Sequence, residues 1–264
     1  MKKNFKYLVA SEHDKLWGLT VSTVGYEEIG PDDDYPTRGH ADGYFFDVAK
    51  GRVLDEYQLQ YVIEGDGVFQ SASQKATKVH SGDVFLLYPG EWHTYHPASS
   101  GWKCYWIGFK GRNIDDRVRA GFLSPKKAIY HIGYDSEMIH LFDHALEISE
   151  REPAYFQQTL AGIVNCLIGL MYSLQRSEAL KDCSADQDLV NHARELIRSN
   201  LESTLSIQEI AERLNISYSK FRRIFKDFTG FSPAYYQMDL KLQRARDLLS
   251  TTELSIKDIA YQLD

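Results

Sequence analysis

The chain has 264 residues, of which 43% are hydrophobic and 25% are charged, a composition typical of a folded globular protein rather than a disordered one. No apolar run reaches the roughly 18 residues that span a membrane. No apolar block with a cleavage site follows the basic N-terminus, so the sequence predicts neither a membrane protein nor a secreted one. The three cysteines lie far apart, which favours a reducing, cytoplasmic location over a disulfide framework.

The net charge of −7 is unevenly distributed along the chain. Residues 189–250 contain ten Lys and Arg against seven Asp and Glu, whereas residues 1–188 are acidic overall. An acidic protein as a whole repels nucleic acid, but a basic region behind an acidic one predicts two domains with different tasks. The length agrees with this division, because domains average about 150 residues.

Residues 15 to about 112 carry short β-branched and aromatic runs separated by turn signals, a pattern that predicts a sandwich or a small barrel. An Asp-Gly pair at residues 66–67 predicts a tight hairpin turn, and residues 31–36 are predicted to form a loop. The predicted strands lie at residues 16–21, 57–63, 84–88 and 102–109.

After about residue 135 the apolar spacing changes to three and four residues, which predicts helices. One helix is predicted from Ser136, as its N-cap, to about Glu150, and a longer one starts near Pro153. Apolar residues form one stripe on the longer helix: Phe156, Leu160, Ile163, Leu167, Leu170 and Leu174. Two compatible uses of this stripe are packing against the barrel and forming the seam of a helix–helix dimer. Residues 177–188 are polar, lack periodicity and are predicted to be a linker.

A segment of eleven residues occurs twice near the end of the chain. Leu205–Asn215 and Leu254–Asp264 share six residues at matching positions, which indicates one helical unit used twice. Each copy has the spacing of a capping box, in which a serine hydroxyl and an acid three residues later satisfy the first backbone amides of a helix. The two pairs are Ser206 with Glu209 and Ser255 with Asp258.

A second helix is predicted between the two copies, with Ser217 as its N-cap and Gly230 as its C-cap. Apolar residues recur on one side of it: Phe221, Ile224, Phe225 and Phe228. The rest of the helix and its cap are basic or polar and are the candidate DNA-binding residues: Ser217, Tyr218, Ser219, Lys220, Arg222, Arg223 and Lys226.

Two helices joined by a short turn, the second with a basic outer face, form a helix-turn-helix motif. A helix of this kind fits the major groove, where Arg or Lys pairs with guanine edges and other cations neutralise phosphates. The alternative is a solvated basic helix in an ordinary bundle, and the repeat weighs against it.

The same region carries a motif made of Ala211, Ser217, Phe221, Arg223, Phe225, Lys226, Gly230, Ser232, Pro233, Tyr236, Lys241, Leu242, Ala245, Leu248 and Leu249. Over about 60 residues this pattern resembles the DNA-binding module of AraC-type transcription regulators, with Lys241 where Arg is usual. The resemblance implies two helix-turn-helix units bridged by a long helix, here about residues 232–249. Because the sequence stops at Asp264, we expect the second recognition helix to be missing and operator binding by this chain to be weak or absent.

The segment Gly82–Gly90, followed by His93, resembles the second motif of cupin barrels. Residues 57–65 occupy the place of the first motif, but they carry no histidine. A metal site needs three or four protein ligands, and the pair His140 and His144 also lacks a third. The sequence therefore predicts no metal and no cofactor, which counts against a metal-dependent cupin enzyme.

Residues 89–95, together with residues 102–109, resemble the arabinose-binding type of sensor domain in AraC-like regulators. Aromatic faces and a few placed polar groups suit sugars in such a pocket. Cys104 stands where arabinose regulators use a histidine, which disfavours arabinose itself. The candidate ligand-binding residues are Thr37, His40, Arg52, His93, Tyr95 and Trp106, each of which has the alternative role of a core, turn or surface residue.

The sequence thus predicts an α+β protein with four parts: a cupin-like effector-binding barrel (1–134), a helical dimerisation region (135–176), the linker (177–188) and an all-α DNA-binding domain (189–264). The predicted function is a ligand-responsive, sequence-specific transcription regulator, not an enzyme, whose effector is a sugar. Its predicted partners are operator DNA, a second copy of the chain and RNA polymerase. Two alternatives stay open: a sensor-only protein that pairs with full-length regulators, and a cupin-type sugar enzyme.

Overall fold

A computed structural model describes residues 2–41, 44–179, 184–202 and 205–263. The chain divides into two compact units, Met1–Ala179 and Leu180–Asp264. The first combines an antiparallel sheet with helices and the second is helical, so the predicted α+β class is confirmed. No helix in the described part of the chain has the length and apolarity needed to cross a membrane.

The first unit is built on one eight-stranded antiparallel sheet with the order β1-β2-β7-β4-β6-β8, in which β3 pairs with β7 and β5 with β4. Its end strands β1 and β8 are not paired with each other in the described residues, so the predicted barrel is an open one. The strands are β1 (Lys2–Tyr7), β2 (Thr20–Ile29), β3 (Arg52–Val53), β4 (Tyr57–Ser71), β5 (Thr77–His80), β6 (Asp83–Leu87), β7 (Trp92–Lys110) and β8 (Ile129–His131).

The hairpin predicted at residues 66–67 is wrong, because β4 continues through this point. It pairs with β7 on both sides, and the register shifts between Gly65 and Gly67. Gly65 has a φ of +82°, and a Cβ there would lie 2.2 Å from the carbonyl oxygen of Gly101. The glycines therefore form a β-bulge where two backbones approach closely, rather than a turn.

Four helices complete the described part of the first unit: α1 (Glu12–Lys15), α2 (Arg112–Arg119), α3 (Ser136–Arg151) and α4 (Phe156–Ala179). The N-cap of α3 is Asp135, whose side chain accepts a hydrogen bond from the Met138 amide, so the predicted cap at Ser136 is one residue late. Pro153 precedes α4 by three residues instead of lying in its first turn.

The apolar stripe of α4 packs into the core of the first unit. Leu160, Ile163 and Leu167 are buried there, while the remaining three stripe residues are partly buried against the same core. Packing on the sheet, one of the two predicted uses of the stripe, is thereby confirmed. The other predicted use, a helix–helix dimer seam, stays a prediction. Such a seam would have to use those parts of the partly buried stripe residues that remain exposed.

Helices cover most of the predicted linker at residues 177–188. Helix α4 extends to Ala179 and the next helix, α5, begins at Ser184, while residues 180–183 lie outside the described part. Polarity in residues 185–188 therefore reflects helix positions that are mostly exposed, not the absence of a helix.

The second unit consists of α5 (Ser184–Ser199), α6 (Ile207–Arg213), α7 (Tyr218–Thr229), α8 (Pro233–Thr251) and α9 (Ile256–Leu263). Buried residues of α5, α6 and α7 form one core, and Leu248, Ile259 and Leu263 form a smaller one between α8 and α9. Both predicted capping boxes are present, at Ser206 and at Ser255.

Candidate functional site

A cavity in the first unit is lined by β1, β2, β3, β4, β7 and the loop between β2 and β3. Its free space is about 40 Å³, enough for a few water molecules, so a larger ligand requires lining side chains to move. The lining residues are Tyr7, Glu27, Tyr35, Pro36, Thr37, His40, Tyr44, Phe46, Arg52, Gln58, Gln60, Tyr95, Trp102, Cys104 and Trp106. Five of the six predicted ligand-binding residues are among them.

Arg52 is held on one side of the cavity by three hydrogen-bond partners. It donates from Nη2 to the Tyr95 hydroxyl at 2.7 Å, from Nε to His93 Nε2 at 3.3 Å, and from Nη1 to the Tyr44 carbonyl oxygen. Its guanidinium carbon lies 4.5 Å from the centre of the Phe46 ring. Arg52 is therefore a fixed part of the wall rather than the surface charge that the sequence left as an alternative.

His93 is the predicted ligand residue that does not line the cavity, since it lies behind Arg52. Its Nδ1 is 3.0 Å from the Glu91 carbonyl oxygen. Burial, and then the charge of Arg52, lowers the pKa of His93 to about 4, so at neutral pH its Nε2 is an unprotonated acceptor for Arg52. The geometry gives His93 the task of orienting Arg52.

Thr37 and His40 connect the loop to two strands. The Thr37 hydroxyl donates to Glu27 Oε1, and His40 Nε2 lies 3.2 Å from the Thr37 hydroxyl oxygen. His40 Nδ1 is 2.9 Å from the Tyr7 hydroxyl, and the imidazole stacks on Phe5 at 4.5 Å. Both ring nitrogens of His40 are thus engaged, and β1 and the loop together form a roof over the cavity.

Trp106 supplies a flat aromatic wall because Gly25 leaves room for it. The two residues are register partners on β7 and β2. A Cβ at position 25 would lie 2.1 Å from Trp106 Cζ2, so any larger residue at this position would displace the indole. The ring is 6.1 Å from Phe5 and 6.0 Å from His40, centre to centre.

Several polar residues of the wall were missed by the sequence analysis: Glu27, Gln58, Gln60 and Tyr44. Gln58 and Gln60 alternate on β4 and are almost fully buried. Two glutamines at period two in an otherwise apolar strand were a usable signal, because buried amides need partners. Glu27 gave no comparable signal, since only strand register distinguishes it from its neighbour Glu28.

Metal-ligand clusters of three His, Cys, Asp or Glu residues do not occur among the described residues. Of the histidine pair on α3, His144 has its Nδ1 3.6 Å from Glu147 Oε2.

Helix α7 separates an apolar from a polar side as the sequence predicts. Phe221, Ile224 and Phe225 are buried and Phe228 is partly buried, and Gly230 ends the helix in the left-handed conformation. All seven candidate DNA-binding residues, 217–220, 222, 223 and 226, are exposed.

The cations of α7 are available to a partner. Lys220, Arg222, Arg223 and Lys226 form no salt bridge with any carboxylate in the described ranges. Ser217 occupies the N-cap position, yet its hydroxyl makes no capping hydrogen bond. The exposed side of α7 therefore offers mainly cationic and hydroxyl groups, a combination suited to phosphates and base edges, although the acidic residue of the helix, Asp227, is exposed as well.

Comparison with known families finds a match in each of the two units. Residues 33–185, more than half of the chain, match the AraC-like ligand binding domain family, and residues 210–264 match a helix-turn-helix domain. The chain belongs to the AraC family of transcription regulators. It is therefore a DNA-binding regulator with a ligand-binding domain, and not an enzyme.

Curated relatives are operon regulators that this chain matches over about three quarters of their length. The lactose operon transcription activator of Staphylococcus xylosus is 28% identical over 80% of this AraC-family chain and 76% of its own. The Msm operon regulatory protein of Streptococcus mutans is 26% identical, over 79% and 75%. The arabinose operon regulatory protein of Escherichia coli is 25% identical, over 83% and 76%.

A solved structure, an AraC-type regulator from Chromobacterium violaceum, is 34% identical over 30% of this chain and 71% of its own, with a TM-score of 0.28.

Proposed function

We propose that this AraC-family regulator senses a sugar in the cavity of its first unit and binds operator DNA through α7. The observation that carries the sugar assignment is that one cavity is lined both by the aromatic ring of Trp106 and by the planar polar groups of Arg52 and Glu27. Aromatic faces cover the C–H patches of a sugar, and planar polar groups bind its hydroxyls. Relatives named for lactose, raffinose and arabinose operons support the same class of effector.

The DNA contacts are assigned to residues 217–220, 222, 223 and 226. In this proposal Arg222 and Arg223 reach base edges, and the remaining cations and hydroxyls contact phosphates. A homodimer places two copies of α7 at the fixed spacing that half-sites require. The protein works in the cytoplasm, where it contacts RNA polymerase when it activates transcription.

Effector binding controls DNA binding by shifting populations between arrangements of the subunits. A sugar produces this shift only if it binds one arrangement better than the other. The four parts of the chain, 1–134, 135–176, 177–188 and 189–264, are assigned to sensing, dimerisation, linkage and DNA binding.

Two linked measurements test the proposed function. A thermal-shift screen with mono- and oligosaccharides should find a sugar that raises the melting temperature of the first unit. DNA fragments selected from a random library should then bind with an affinity that this sugar changes. Protein that binds selected DNA with no dependence on any saccharide would overturn the sensing assignment, and selected DNA that an Arg223→Ala variant binds as tightly as the wild type would overturn the assignment of α7.

A further inference from the structure

Two carboxylates and one guanidinium lie in or directly behind the walls of the cavity: Glu27 and Arg52 line it, and Glu56 hydrogen-bonds to the lining residues Tyr44 and Gln58. Glu27 lines the cavity and is 6% exposed, and Glu56 is fully buried behind it on the β4 side. Within the described ranges, the basic side chain within 4 Å of Glu27 is His40, whose Nε2 is 3.9 Å from Glu27 Oε1. Arg52 forms no salt bridge with either carboxylate in the described part of the chain, and three of its five N–H groups donate to Tyr44, Tyr95 and His93.

A hydrogen-bonded ladder fixes which atoms of the glutamines face the cavity. Gln58 Nε2 donates to Glu56 Oε1 at 2.8 Å, and Gln60 Nε2 donates to Gln58 Oε1 at 3.0 Å. A carboxylate only accepts hydrogen bonds, so Glu56 forces both amide groups to point towards it. The opposite end of the ladder is therefore an acceptor, Gln60 Oε1.

The far end of the ladder has only a weak partner. Gln60 Oε1 is 3.5 Å from the Sγ of Cys104, and a thiol is a poor donor. Burial raises the pKa of Cys104 far above its usual value, so the thiol stays protonated and does not add charge. Gln60 Oε1 retains capacity to accept a stronger hydrogen bond.

Glu27 also has a carboxylate oxygen that can accept a further hydrogen bond. Its Oε1 accepts from Thr37, while its Oε2 has no hydrogen-bond donor among the residues that the structure describes. Glu27 and Gln60 lie on β2 and β4, on either side of β7, where their register partners are Cys104 and Trp106. Two unsaturated acceptors thus line the same cavity as Trp106, with Gln60 beside Trp106 and Glu27 beside Cys104, and we call this pair the acceptor wall.

We propose that the acceptor wall, Glu27 and Gln60, selects an uncharged polyhydroxylated effector and rejects anionic sugars such as uronates. This inference rests on the proposed function, because it assumes that the cavity is the effector site. Hydroxyl groups donate to both acceptors, and a hydrogen bond to a carboxylate is stronger than one between neutral groups. A ligand carboxylate beside Glu27 would instead place two like charges together in a buried site.

The test uses matched sugars and an isosteric variant of the full chain. The neutral probes are D-galactose, D-glucose, L-arabinose, lactose and raffinose, and the anionic probes are D-galacturonate and D-glucuronate. The wild-type protein should bind at least one neutral probe, and at least about tenfold more tightly than either uronate. In Glu27→Gln, neutral-sugar affinity should fall by about tenfold and uronate affinity should rise, so that the two differ by less than about threefold.

Glu28→Gln is the matched control. Glu28 is the next residue on β2, is 40% exposed at its side chain and lies 3.8 Å from Lys103 Nζ, so its charge is removed outside the cavity. This variant should bind every probe as the wild type does. Gln60→Met is the second variant, which should weaken neutral-sugar binding without admitting uronates, because it removes an acceptor but no charge.

Three results would overturn the inference. The first is a wild-type protein that binds a uronate as tightly as any neutral probe. The second is unchanged affinities in both Glu27→Gln and Gln60→Met when their melting temperatures match the wild type. The third is a wild-type protein that binds none of the neutral probes. DNA binding by α7 is measured in a separate assay, so this third result would overturn the inference about the effector without overturning the assignment of the protein as a DNA-binding regulator.

Discussion

The two candidate sites of this regulator are built in opposite ways. The cavity takes its lining from five strands and a loop that span residues 7 to 106, whereas the exposed side of α7 takes its groups from ten consecutive positions, 217 to 226. The cavity is therefore determined by strand register and the DNA-facing surface by helical periodicity. Changes at the first site should alter ligand binding and the stability of the first unit, and changes at the second should alter DNA binding alone.

The largest expected effect of a single change is on DNA binding. Arg223→Ala removes an exposed cation of α7 that has no salt bridge with a described carboxylate, and should weaken binding to selected DNA by about 3 kcal/mol, the upper end for one base contact. Gel shifts at low salt measure this loss. Arg119→Ala in the first unit, where Arg119 pairs with Asp116 at 2.9 Å, is the control and should leave the affinity unchanged. Equal affinities of the two variants would contradict the assignment of α7.

Trp106→Ala should abolish the rise in melting temperature that an effector sugar causes, because it removes the aromatic wall of the cavity. The loss corresponds to about 2–3 kcal/mol of binding free energy, the scale for burying one aromatic side chain. Thermal-shift titration measures it. Trp17→Ala is the control, since Trp17 is 59% exposed and lies outside the cavity. A Trp106→Ala protein that still responds fully to the sugar would place the effector elsewhere.

Gly25→Ala sharpens the comparison because it changes the cavity at a residue that is not itself a proposed ligand contact. The new Cβ would lie 2.1 Å from Trp106 Cζ2, and overpacking of this kind costs about 1–3 kcal/mol. Urea unfolding should show this loss together with a weaker sugar response. Gly162→Ala, on α4 and with nothing within 4 Å of the added Cβ, should instead stabilise the protein by up to about 1 kcal/mol. Equal effects of the two substitutions would refute the close contact at Trp106.

The smallest expected effects distinguish two serine N-caps of the second unit. Ser206→Ala removes a capping box with Glu209 and should reduce the free energy of unfolding by about 1 kcal/mol. Ser217→Ala removes a hydroxyl that makes no capping bond, so its effect on stability should stay within about 0.5 kcal/mol, while DNA affinity falls. A larger loss of stability in Ser217→Ala than in Ser206→Ala would contradict this division of roles.

The contrast between strand register and helical periodicity also explains which features could be predicted from the sequence. Helix α7, its two caps and its apolar side depend on residues within one or two turns, and each was predicted correctly. Glu27 was missed although it lies beside Glu28 in the sequence, because only the pairing of Glu27 with Cys104 on β7 decides which carboxylate faces inward. His93 was predicted to contact the ligand. In the structure Arg52 lies between His93 and the cavity, and the sequence alone does not show this.

Glycine misled the sequence analysis for a related reason. The pair at residues 66–67 has the composition of a hairpin turn, yet the long-range approach of Gly101 to Gly65 turns this segment into a bulge within one strand. Local composition cannot distinguish a turn from a bulge when a distant backbone makes the difference.

The position of β1 has a practical consequence for experiments on this protein. Phe5 and Tyr7 of β1 contact the His40 imidazole that roofs the cavity, so a purification tag that disturbs β1 would also disturb the proposed effector site. We therefore expect saccharide screens to depend on where the tag is placed. Removing an N-terminal tag by protease before titration should restore responses that the tagged protein obscures.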